Sequence, residues 1–486
     1  MGILEFGAVW VFILGLNYYL MTLLQWYHYS FARVLTKHHK KRWHVYHVIL
    51  PLGVFILTHA KHLEIAFYVF VGGVQIPWLV LWANHLDKKL VFTPRVVRFF
   101  LLLWLFLLVD AWLVRALGEI SYWRYGLLMI LTHGASLGFE KSCARGYVRL
   151  AKHKLARMPH LKIIAITGSF GKTSVKNYLY QILQGKHIAY SASGSVNTLL
   201  GLSHDINQNL GENATLYIAE AGARAPGDIK AISALLQPHY AIITEVGKQH
   251  IEYFKTLDNV AKTKAELLQS TRLEHAFCHK SEVLEPFCVP LEKMSFYPGK
   301  IRGVEANLEG TRFELWLDNQ WVRFETKILG AFNVENLSLA IMVGFYFGLS
   351  SAQLQRLVAK LNPVPHRLHV LHLNDKIIID DGFNGNLKGM LEGVRLCSLY
   401  AGRKIIVTPG LVESDVESNT TLARAIDRVF DIVIITGELN ATTLAQSIHR
   451  PQKIFLKDKS QLEAVLQSTT LAKDLILFAN DAPNYI

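Results

Sequence analysis

The 486 residues of this chain are enough for about three domains, and 51% of them are hydrophobic, which is high for a soluble enzyme. The excess lies before about residue 140, so a membrane region is expected there. A formal net charge of +13 would suit nucleic acid, but much of it flanks apolar segments, so we predict no nucleic-acid binding. The four cysteines lack Cys-x-x-Cys spacing, which argues against a metal cluster and favours reduced thiols.

Residues 1–158 are predicted to form an α-helical membrane region with about five transmembrane helices. The first apolar run lacks a basic segment before it and a small-residue cleavage site after it, so it is not a cleavable signal peptide. The second run is short and contains Pro51, and the second and fifth could instead be interfacial or re-entrant. The five runs are Ile3–Leu24, Val45–Thr58, Ile65–Trp82, Phe99–Val114 and Tyr125–Phe139.

Charge predicts the orientation of these spans, because basic loops prefer the cytoplasm. Basic residues cluster at Lys37–Arg42, around Lys88 and after Lys141, whereas the intervening connections carry fewer. This alternation predicts that the N-terminus lies outside and that everything after Lys141 lies in the cytoplasm. Membrane lipid is then expected around the spans. Asp110 lies inside the fourth run, where a functional carboxylate and a paired structural one are both open interpretations.

The stretch Lys162–Thr173, KIIAITGSFGKT, indicates a phosphate-binding turn. Its four apolar residues suit a buried strand, and a helix-like run, SVKNYLYQIL, follows it. Loop amides, the helix dipole, a lysine charge and a threonine hydroxyl for Mg²⁺ would together bind a nucleotide. The loop residues concerned are Gly168, Ser169, Gly171, Lys172 and Thr173. The common P-loop pattern is incomplete because Ile166 stands where its first glycine is expected, so an ordinary strand–turn–helix corner is the alternative.

Three further residues suit a metal-assisted site, although each has an ordinary explanation when taken singly. Glu220 ends the apolar strand LYIAE, and the carboxyl end of such a strand faces the ligand crevice of an α/β sheet. Alone it would be a surface or helix-capping carboxylate. His250 follows the strand YAIITEVG and would more often be structural, and Lys264 lies on a charged helix face that is usually solvated.

The segments that carry these residues resemble the Mur ligases, a family of ATP-dependent amide ligases of peptidoglycan synthesis, and within it the MurF type. The ATP loop of the family accommodates the missing glycine. Five segments match in family order: TGSFGKTSVK, SVNTLLGLS, YIAEAGA, EVGKQHIEYF and AKTKAEL. The resemblance covers roughly residues 160–450, and it implies a central P-loop-type ATPase domain at 159–361 and a C-terminal doubly wound, Rossmann-like domain at 362–486.

The resemblance also implies roles for individual residues. Lys172 would contact the β- and γ-phosphates, Thr173 and Glu220 would hold one Mg²⁺, and His250 with a carbamylated Lys264 would hold a second. A lysine offers no acceptor to a metal, whereas a carbamate does. In GAFNVENLSLAI, Asn336 would contact adenine, and Asn333 would be a helix N-cap or part of the same site. Beyond the NPVPHRL linker the matching residues are Arg367, Asp381, Asn384, Asn386 and, loosely, Glu413.

Local patterns in the second half of the chain predict its strands. TRFELWL and WVRFETKI, separated by DNQ, are typical of a β-hairpin. After the linker, the strands KIIID, KIIVTPG, DIVIITG and LILFA alternate with helical runs, which favours a parallel sheet.

The chain departs from the family at its C-terminus, FANDAPNYI, and in having a membrane segment where the uridine-nucleotide domain is expected. The activity implied is the ATP-dependent addition of D-Ala-D-Ala to a UDP-muramoyl tripeptide through an acyl phosphate, at the cytoplasmic face of the bacterial inner membrane and in contact with other enzymes of wall synthesis. Alternatives are a membrane-bound relative with another acceptor, such as a poly-γ-glutamate-type synthetase, and a non-catalytic membrane scaffold.

Overall fold

The protein is described from a computed structural model. The structure describes residues 3–27, 29–38, 40–86, 88–117, 123–247, 251–288, 293–373, 375–383, 385–412 and 414–480. The predicted site residues His250 and Asn384, together with Glu413, lie outside the described residues. The chain forms two compact units, Met1–Gly146 and Tyr147–Ile486.

Helices make up the first unit, in keeping with its apolar sequence. Two of its long helices, Arg42–Ala60 and Glu64–Asn84, each contain a π-helical turn, at Val45–Ile49 and at Val71–Gln75. A proline follows each turn, at the second position of the next α-helical segment, where its missing N–H is tolerated. The helices are α1 (Ile3–Trp26), α2 (Phe31–Lys37), α3 (Arg42–His44), α4 (Leu50–Ala60), α5 (Glu64–Phe70), α6 (Ile76–Asn84), α7 (Pro94–Leu117) and α8 (Trp123–Ala156).

Four helices among the described residues are long and apolar enough to cross a membrane, by length and composition alone: Phe6–Trp26, Arg42–Ala60, Glu64–Asn84 and Pro94–Leu117. They agree with the first four predicted runs. Large apolar side chains on these helices are exposed, such as Ile65 at 77% exposure. The fifth predicted run, 125–139, lies within α8 and stays a prediction.

Two pairs of polar side chains lie inside the first unit. The Arg124 Nε donates to Asp110 Oδ1 at 3.0 Å, and both side chains are buried. Asn17 Oδ1 lies 3.0 Å from His133 Nε2. Asp110 therefore has the paired environment that makes a buried carboxylate tolerable in an apolar helix bundle.

A six-stranded parallel sheet forms the centre of the second unit, in the order β2–β3–β1–β4–β5–β6. Its middle strands are nearly continuous apolar runs because helices cover both faces. The strands are β1 (Lys162–Thr167), β2 (Ala189–Ser191), β3 (Leu216–Glu220), β4 (Tyr240–Ile243), β5 (His275–His279) and β6 (Met294–Tyr297). The helices are α9 (Lys172–Leu183), α10 (Leu199–Asn209), α11 (Asp228–Leu236), α12 (Ile251–Phe254), α13 (Leu257–Ala265), α14 (Asn333–Tyr346) and α15 (Ser351–Ala359).

Two packing features complete the central domain. The predicted hairpin is confirmed: β8 (Thr311–Leu317) and β9 (Gln320–Thr326) pair antiparallel, and β7 (Ile301–Ala306) adds a third strand. The last turns of α8 belong to the same core, because Ala151 and Leu155 are buried in one apolar cluster with Leu161 and Ile163.

The C-terminal domain is a second six-stranded sheet, in the order β10–β11–β15–β12–β13–β14. All neighbours pair in parallel except β10 with β11, so the predicted doubly wound sheet carries one antiparallel edge strand. Its strands are β10 (His369–Leu373), β11 (Lys376–Asp381), β12 (Lys404–Thr408), β13 (Ile432–Thr436), β14 (Gln452–Leu456) and β15 (Leu475–Ala479). Its helices are α16 (Leu387–Ser398), α17 (Val416–Val429), α18 (Ala441–Ser447) and α19 (Leu462–Thr469).

Candidate active site

The predicted phosphate loop joins the central strand β1 to the N-terminus of α9. Gly168 has φ 143° and Gly171 has φ 83°, values that only glycine adopts without strain. A Cβ atom on Gly171 would lie 2.3 Å from Asn336 Oδ1, and one on Gly168 would lie 1.9 Å from Thr244 Oγ1. Both positions therefore require glycine, for a conformational and for a steric reason. The free N–H groups of the first helical turn lie beside this loop, as an anion site needs.

Side-chain hydrogen bonds fix the shape of the loop. Thr244, just after β4, donates to Phe170 O at 2.6 Å and to Thr167 O at 3.1 Å. Ser169 donates its hydroxyl to Gly247 O at 3.1 Å. The loop is thus attached to the end of the neighbouring strand as well as to its own.

Lys172 is the first residue of α9, and its Nζ donates to Gly168 O at 2.8 Å and to Ser169 O at 2.9 Å. Burial lowers the pKa of Lys172 to about 8, an effect that nearby Glu220 opposes. The ammonium therefore lies over the loop, at the place where phosphates bound by the loop amides would meet it.

Glu220 and Thr173 form the acidic side of the site. Glu220 ends β3 beside Ile166 of β1 and is fully buried. Thr173 Oγ1 donates to Glu220 Oε2 at 3.2 Å. The other carboxylate oxygen, Oε1, makes no hydrogen bond within the part of the chain that the structure describes, although Lys176 Nζ lies 3.1 Å from it.

These donors fit one Mg²⁺ bound with nucleotide phosphates. Mg²⁺ prefers hard oxygen ligands and usually takes one or two carboxylates plus phosphate oxygens. Thr173 and Glu220 offer a hydroxyl and a carboxylate side by side, with Oε1 lacking a hydrogen bond to any described residue. Among the described residues, no cluster of three or more His, Cys, Asp or Glu side chains could hold a metal ion by itself. The nucleotide phosphates would therefore supply the remaining ligands.

Lys264, on α13, lines the same cavity with only 4% of its surface exposed. Burial lowers its pKa to about 7, and the neighbouring Lys172 charge lowers it further in the same direction. The alternative interpretation of Lys264 as a solvated lysine on a charged helix face is thus excluded. Because only the neutral amine reacts with CO₂, this environment favours the reactive form.

The C-terminal domain contributes Arg367 and Asp381 to the cavity. Arg367 Nη1 donates to Phe383 O at 2.6 Å, and Leu368 N donates to Asp381 Oδ1 at 3.3 Å. Burial raises the pKa of Asp381 to about 6, while Arg367 opposes the shift. Asn386 also lines the cavity, and its side chain caps α16 by accepting from Gly389 N at 2.7 Å.

The side of the cavity next to α14 carries the predicted asparagines. Asn333 is the first residue of α14, and its side chain donates to Leu329 O at 2.7 Å. The N-cap interpretation of Asn333 is therefore wrong, because the cap position is Phe332. Asn336 Nδ2 lies 3.3 Å from Asn333 Oδ1, so the two amides hold each other beside Gly171.

Glu335 links the two α/β domains at the cavity edge. Its carboxylate accepts from His279 Nε2 at 3.3 Å and from Lys388 Nζ at 3.1 Å. These contacts, the His279 hydrogen bond first, hold the pKa of Glu335 below its usual value. Two further contacts cross the same boundary: Ala331 N donates to Glu392, and Arg395 donates to Ala306 O.

The cavity has a volume of about 710 Å³, within the range of small-molecule sites. It brings together predicted residues that the sequence spreads over more than 200 positions: Ser169, Gly171, Lys172, Thr173, Glu220, Lys264, Asn336, Arg367 and Asp381. Gly168 shapes the loop beneath them. Sequence reasoning missed Lys176, His279, Glu335 and Lys388. For Lys176 a signal existed, because it lies one helical turn after Thr173 and so on the same face of α9.

A sequence profile of the Mur ligase middle domain matches residues 166–344. This match identifies residues 166–344 as a Mur ligase middle domain. Mur ligases are ATP-dependent ligases that use Mg²⁺. The match begins in β1 and ends in α14, so it contains the phosphate loop, Glu220, Lys264 and Asn336.

Named relatives extend the similarity into the C-terminal domain. The UDP-N-acetylmuramoyl-tripeptide–D-alanyl-D-alanine ligase of Bacillus subtilis (strain 168) is 25% identical over 339 residues, covering 65% of this chain and 72% of that enzyme. The enzyme of the same name from Escherichia coli (strain K12) is 24% identical over 291 residues, covering 56% of this chain and 64% of that enzyme.

Solved structures show the same fold. MurF from Acinetobacter baumannii superimposes with a TM-score of 0.61 at 20% identity, covering 70% of this chain and 77% of that one. MurF from Thermotoga maritima, solved in complex with ADP, gives a TM-score of 0.60 at 21% identity, covering 70% of this chain and 80% of that one. The two α/β domains of this chain therefore have the fold predicted for them.

Proposed function

We propose that the protein is an ATP-dependent ligase that adds D-Ala-D-Ala to a UDP-muramoyl tripeptide by way of an acyl phosphate. The observation that carries this proposal is the single cavity in which Lys172, the Thr173–Glu220 pair and Lys264 meet Arg367 and Asp381. Similarity to enzymes named for this reaction supports the choice of substrates.

The residues would act mainly by positioning and by neutralising charge. The loop amides and Lys172 would hold the β- and γ-phosphates of ATP in line with the carboxylate of the tripeptide. Thr173 and Glu220 would hold Mg²⁺, which supplies further charge neutralisation to the phosphates. Arg367 and Asp381 would close the cavity from the C-terminal domain and exclude water before the amine attacks.

We further propose that Lys264 is carbamylated and, with His250, holds a second Mg²⁺. The buried position of Lys264 and its lowered pKa support the modification, because both favour a neutral amine within the cavity. Asn384 would join the site through the loop that follows β11, the strand ending in Asp381.

The direct test uses the detergent-solubilised full chain with ATP, UDP-muramoyl tripeptide and D-Ala-D-Ala. We expect phosphate release only when all three are present, together with a product whose mass equals the two substrates minus water. Phosphate release with a different amino acid only would identify a relative with another acceptor. No ATP turnover with any acceptor would support a scaffold.

We also propose that the first unit anchors the ligase in the bacterial inner membrane, with the α/β domains in the cytoplasm and close to other enzymes of wall synthesis. Four helices of sufficient length, the fifth predicted run 125–139 and the basic connections between the spans support this placement. A truncated protein beginning at Tyr147 keeps the turns of α8 that pack in the central core. We expect it to be soluble and active but unable to replace the full chain in cells. Full replacement would contradict the anchoring role.

The glycine at position 171 offers a test of the ATP site. Gly171→Ala is expected to raise the KM for ATP about tenfold, because the methyl group must displace Asn336 and a positive φ costs about 1–2 kcal/mol in a residue with a side chain. Steady-state kinetics with varied ATP would measure it. Gly185→Ala, just beyond the same helix, is the matched control, since a Cβ there meets nothing within 4 Å. Equal ATP affinity in both variants would contradict the role of Gly171.

A further inference from the structure

Lys176 is a buried lysine within α9 that the mechanism above does not use. Only 1% of its surface is exposed. Its Nζ donates to Ala192 O at 2.8 Å and to Gly194 O at 2.5 Å, and it lies 3.1 Å from Glu220 Oε1. The ammonium therefore donates to two main-chain carbonyls, and its charge lies beside one oxygen of the carboxylate.

In this arrangement the buried ammonium and the buried carboxylate compensate each other. An isolated charge in the interior is strongly unfavourable, and removing one member of a buried pair leaves the other uncompensated. Glu220 is itself fully buried, with Thr173 on its other oxygen. Lys176 thus determines where Oε1 lies, and Thr173 determines where Oε2 lies.

The two carbonyl groups belong to a segment that leads into the substrate side of the cavity. Residues 192–198 connect β2 to α10, and Ser195, Asn197 and Thr198 line the cavity. Gly194 has φ 58°, so the segment turns sharply where Lys176 holds it. Farther along, Gly222 N donates to Asn197 O at 2.7 Å, and the Asn197 side chain packs against Gly222 so closely that a Cβ there would lie 2.8 Å away.

We propose that Lys176 is a positioning residue that fixes the metal-binding carboxylate Glu220 and the 192–198 segment as one unit. The Lys176 ammonium connects three parts of the site. These are helix α9 on the phosphate side, the carboxylate at the end of β3, and the 192–198 segment, which faces the acid substrate. Occupation of the nucleotide site would then order the segment that receives the acid substrate. The identity of that substrate rests on the proposed function, but the coupling between Glu220 and the 192–198 segment does not.

The test compares the full chain in detergent with Lys176→Met and Lys176→Gln. Lys186→Met is the matched control, because Lys186, just beyond the same helix, also donates to two carbonyls, those of Phe347 and Gly348, but has no described carboxylate partner. Two properties are measured without turnover. One is the affinity of the ADP-bound protein for Mn²⁺, a stand-in for Mg²⁺, from the electron paramagnetic resonance of free Mn²⁺. The other is hydrogen exchange at residues 192–198, with and without Mn²⁺ and ADP.

Both properties should change together in the two Lys176 variants. We expect Mn²⁺ affinity to fall about 10- to 100-fold, as is typical when a residue that orients a metal ligand is removed, and exchange at 192–198 to become faster and insensitive to Mn²⁺ and ADP. The Lys186 control should match the original protein in both.

Each contrary outcome has a definite meaning. Unchanged Mn²⁺ affinity would show that Lys176 serves only the segment, and unchanged exchange would show that it serves only Glu220. Either result overturns the coupling. Lys176→Gln keeps a donor for the carbonyls, so both measurements can be made on it if Lys176→Met fails to fold. Activity of the unaltered chain with the muramoyl tripeptide is measured separately, and its absence would overturn the proposed function while leaving the Mn²⁺ and exchange results to decide on Lys176.

Discussion

Lys172→Ala should lower ATP-dependent amide formation by about 100- to 1,000-fold, the loss typical of removing one charged group that stabilises a transition state in a closed site. The structure gives the reason, because the Lys172 ammonium lies over the phosphate loop and donates hydrogen bonds to Gly168 O and Ser169 O. From there it can stabilise the negative charge on the transferring phosphoryl group. Phosphate release and product mass, measured at saturating ATP, would show the loss in kcat.

A matched control separates this role from a general effect of lost charge. Lys162 begins the strand that leads into the same loop, but its ammonium is exposed and pairs with Glu274. Lys162→Ala is expected to keep activity within about twofold, since exposed ion pairs contribute little. Near-normal turnover in Lys172→Ala would show that the loop is not the phosphoryl-transfer site of the enzyme.

Lys264→Ala should lower activity by about 100-fold, and added acetate or formate should restore part of it. A small carboxylate can enter the space left by the side chain and supply the oxygen atoms that the proposed carbamate would provide. The exposed Lys262, two residues earlier on α13, gives the control: Lys262→Ala should be active and insensitive to carboxylates.

A second measurement tests the modification directly. In the unaltered protein, ¹³C-labelled bicarbonate should produce a carbamate signal in the nuclear magnetic resonance spectrum, and Lys264→Ala should lack it. Absence of the signal in the unaltered protein, together with no carboxylate rescue, would leave Lys264 as an ordinary buried lysine.

The phosphate loop could be predicted from sequence because all its determinants are local. A buried strand, two glycines and a helix start follow one another within Lys162–Thr173, and the structure has each of them in that order. Local spacing puts Lys176 on the same face of α9 as Thr173, but the contact that gives Lys176 its role could not be predicted in this way. Its role depends on contact with Glu220, which is distant in the chain and comes near only because β1 and β3 pair with Ile166 opposite Glu220.

Two strands of the C-terminal domain that sequence reasoning missed share a physical cause. β10 and β14 are the two edges of the C-terminal sheet, and both are only partly buried, so their sequences, HVLHL and QKIFL, mix polar and apolar residues. The predicted strands β12 and β15 lie inside the sheet and are continuous apolar runs. Sequence patterns therefore indicate the centre of this sheet more clearly than its borders.

Pro51 illustrates the same limit in the first unit. A proline within a short apolar run is compatible with an interfacial or re-entrant segment, because proline removes a backbone hydrogen bond of the helix. The structure has a continuous helix from Arg42 to Ala60 in which the π-helical turn Val45–Ile49 precedes Pro51. Such a turn changes the hydrogen-bond spacing before the proline, and the pattern of hydrophobic residues does not predict it.

The contacts of Glu335 bear on how fast the enzyme can turn over. Polar contacts between the two α/β domains at this edge, Glu335 with Lys388 and Glu392 with Ala331, lie at the surface, and exposed ion pairs are worth at most about 1 kcal/mol. Breaking these polar contacts alone would cost little, but Leu329 also packs in one buried apolar cluster with Ile379 and Val394 of the C-terminal domain. Opening the cavity between cycles therefore has to separate apolar as well as polar contacts, so domain opening would help to set the rate of product release.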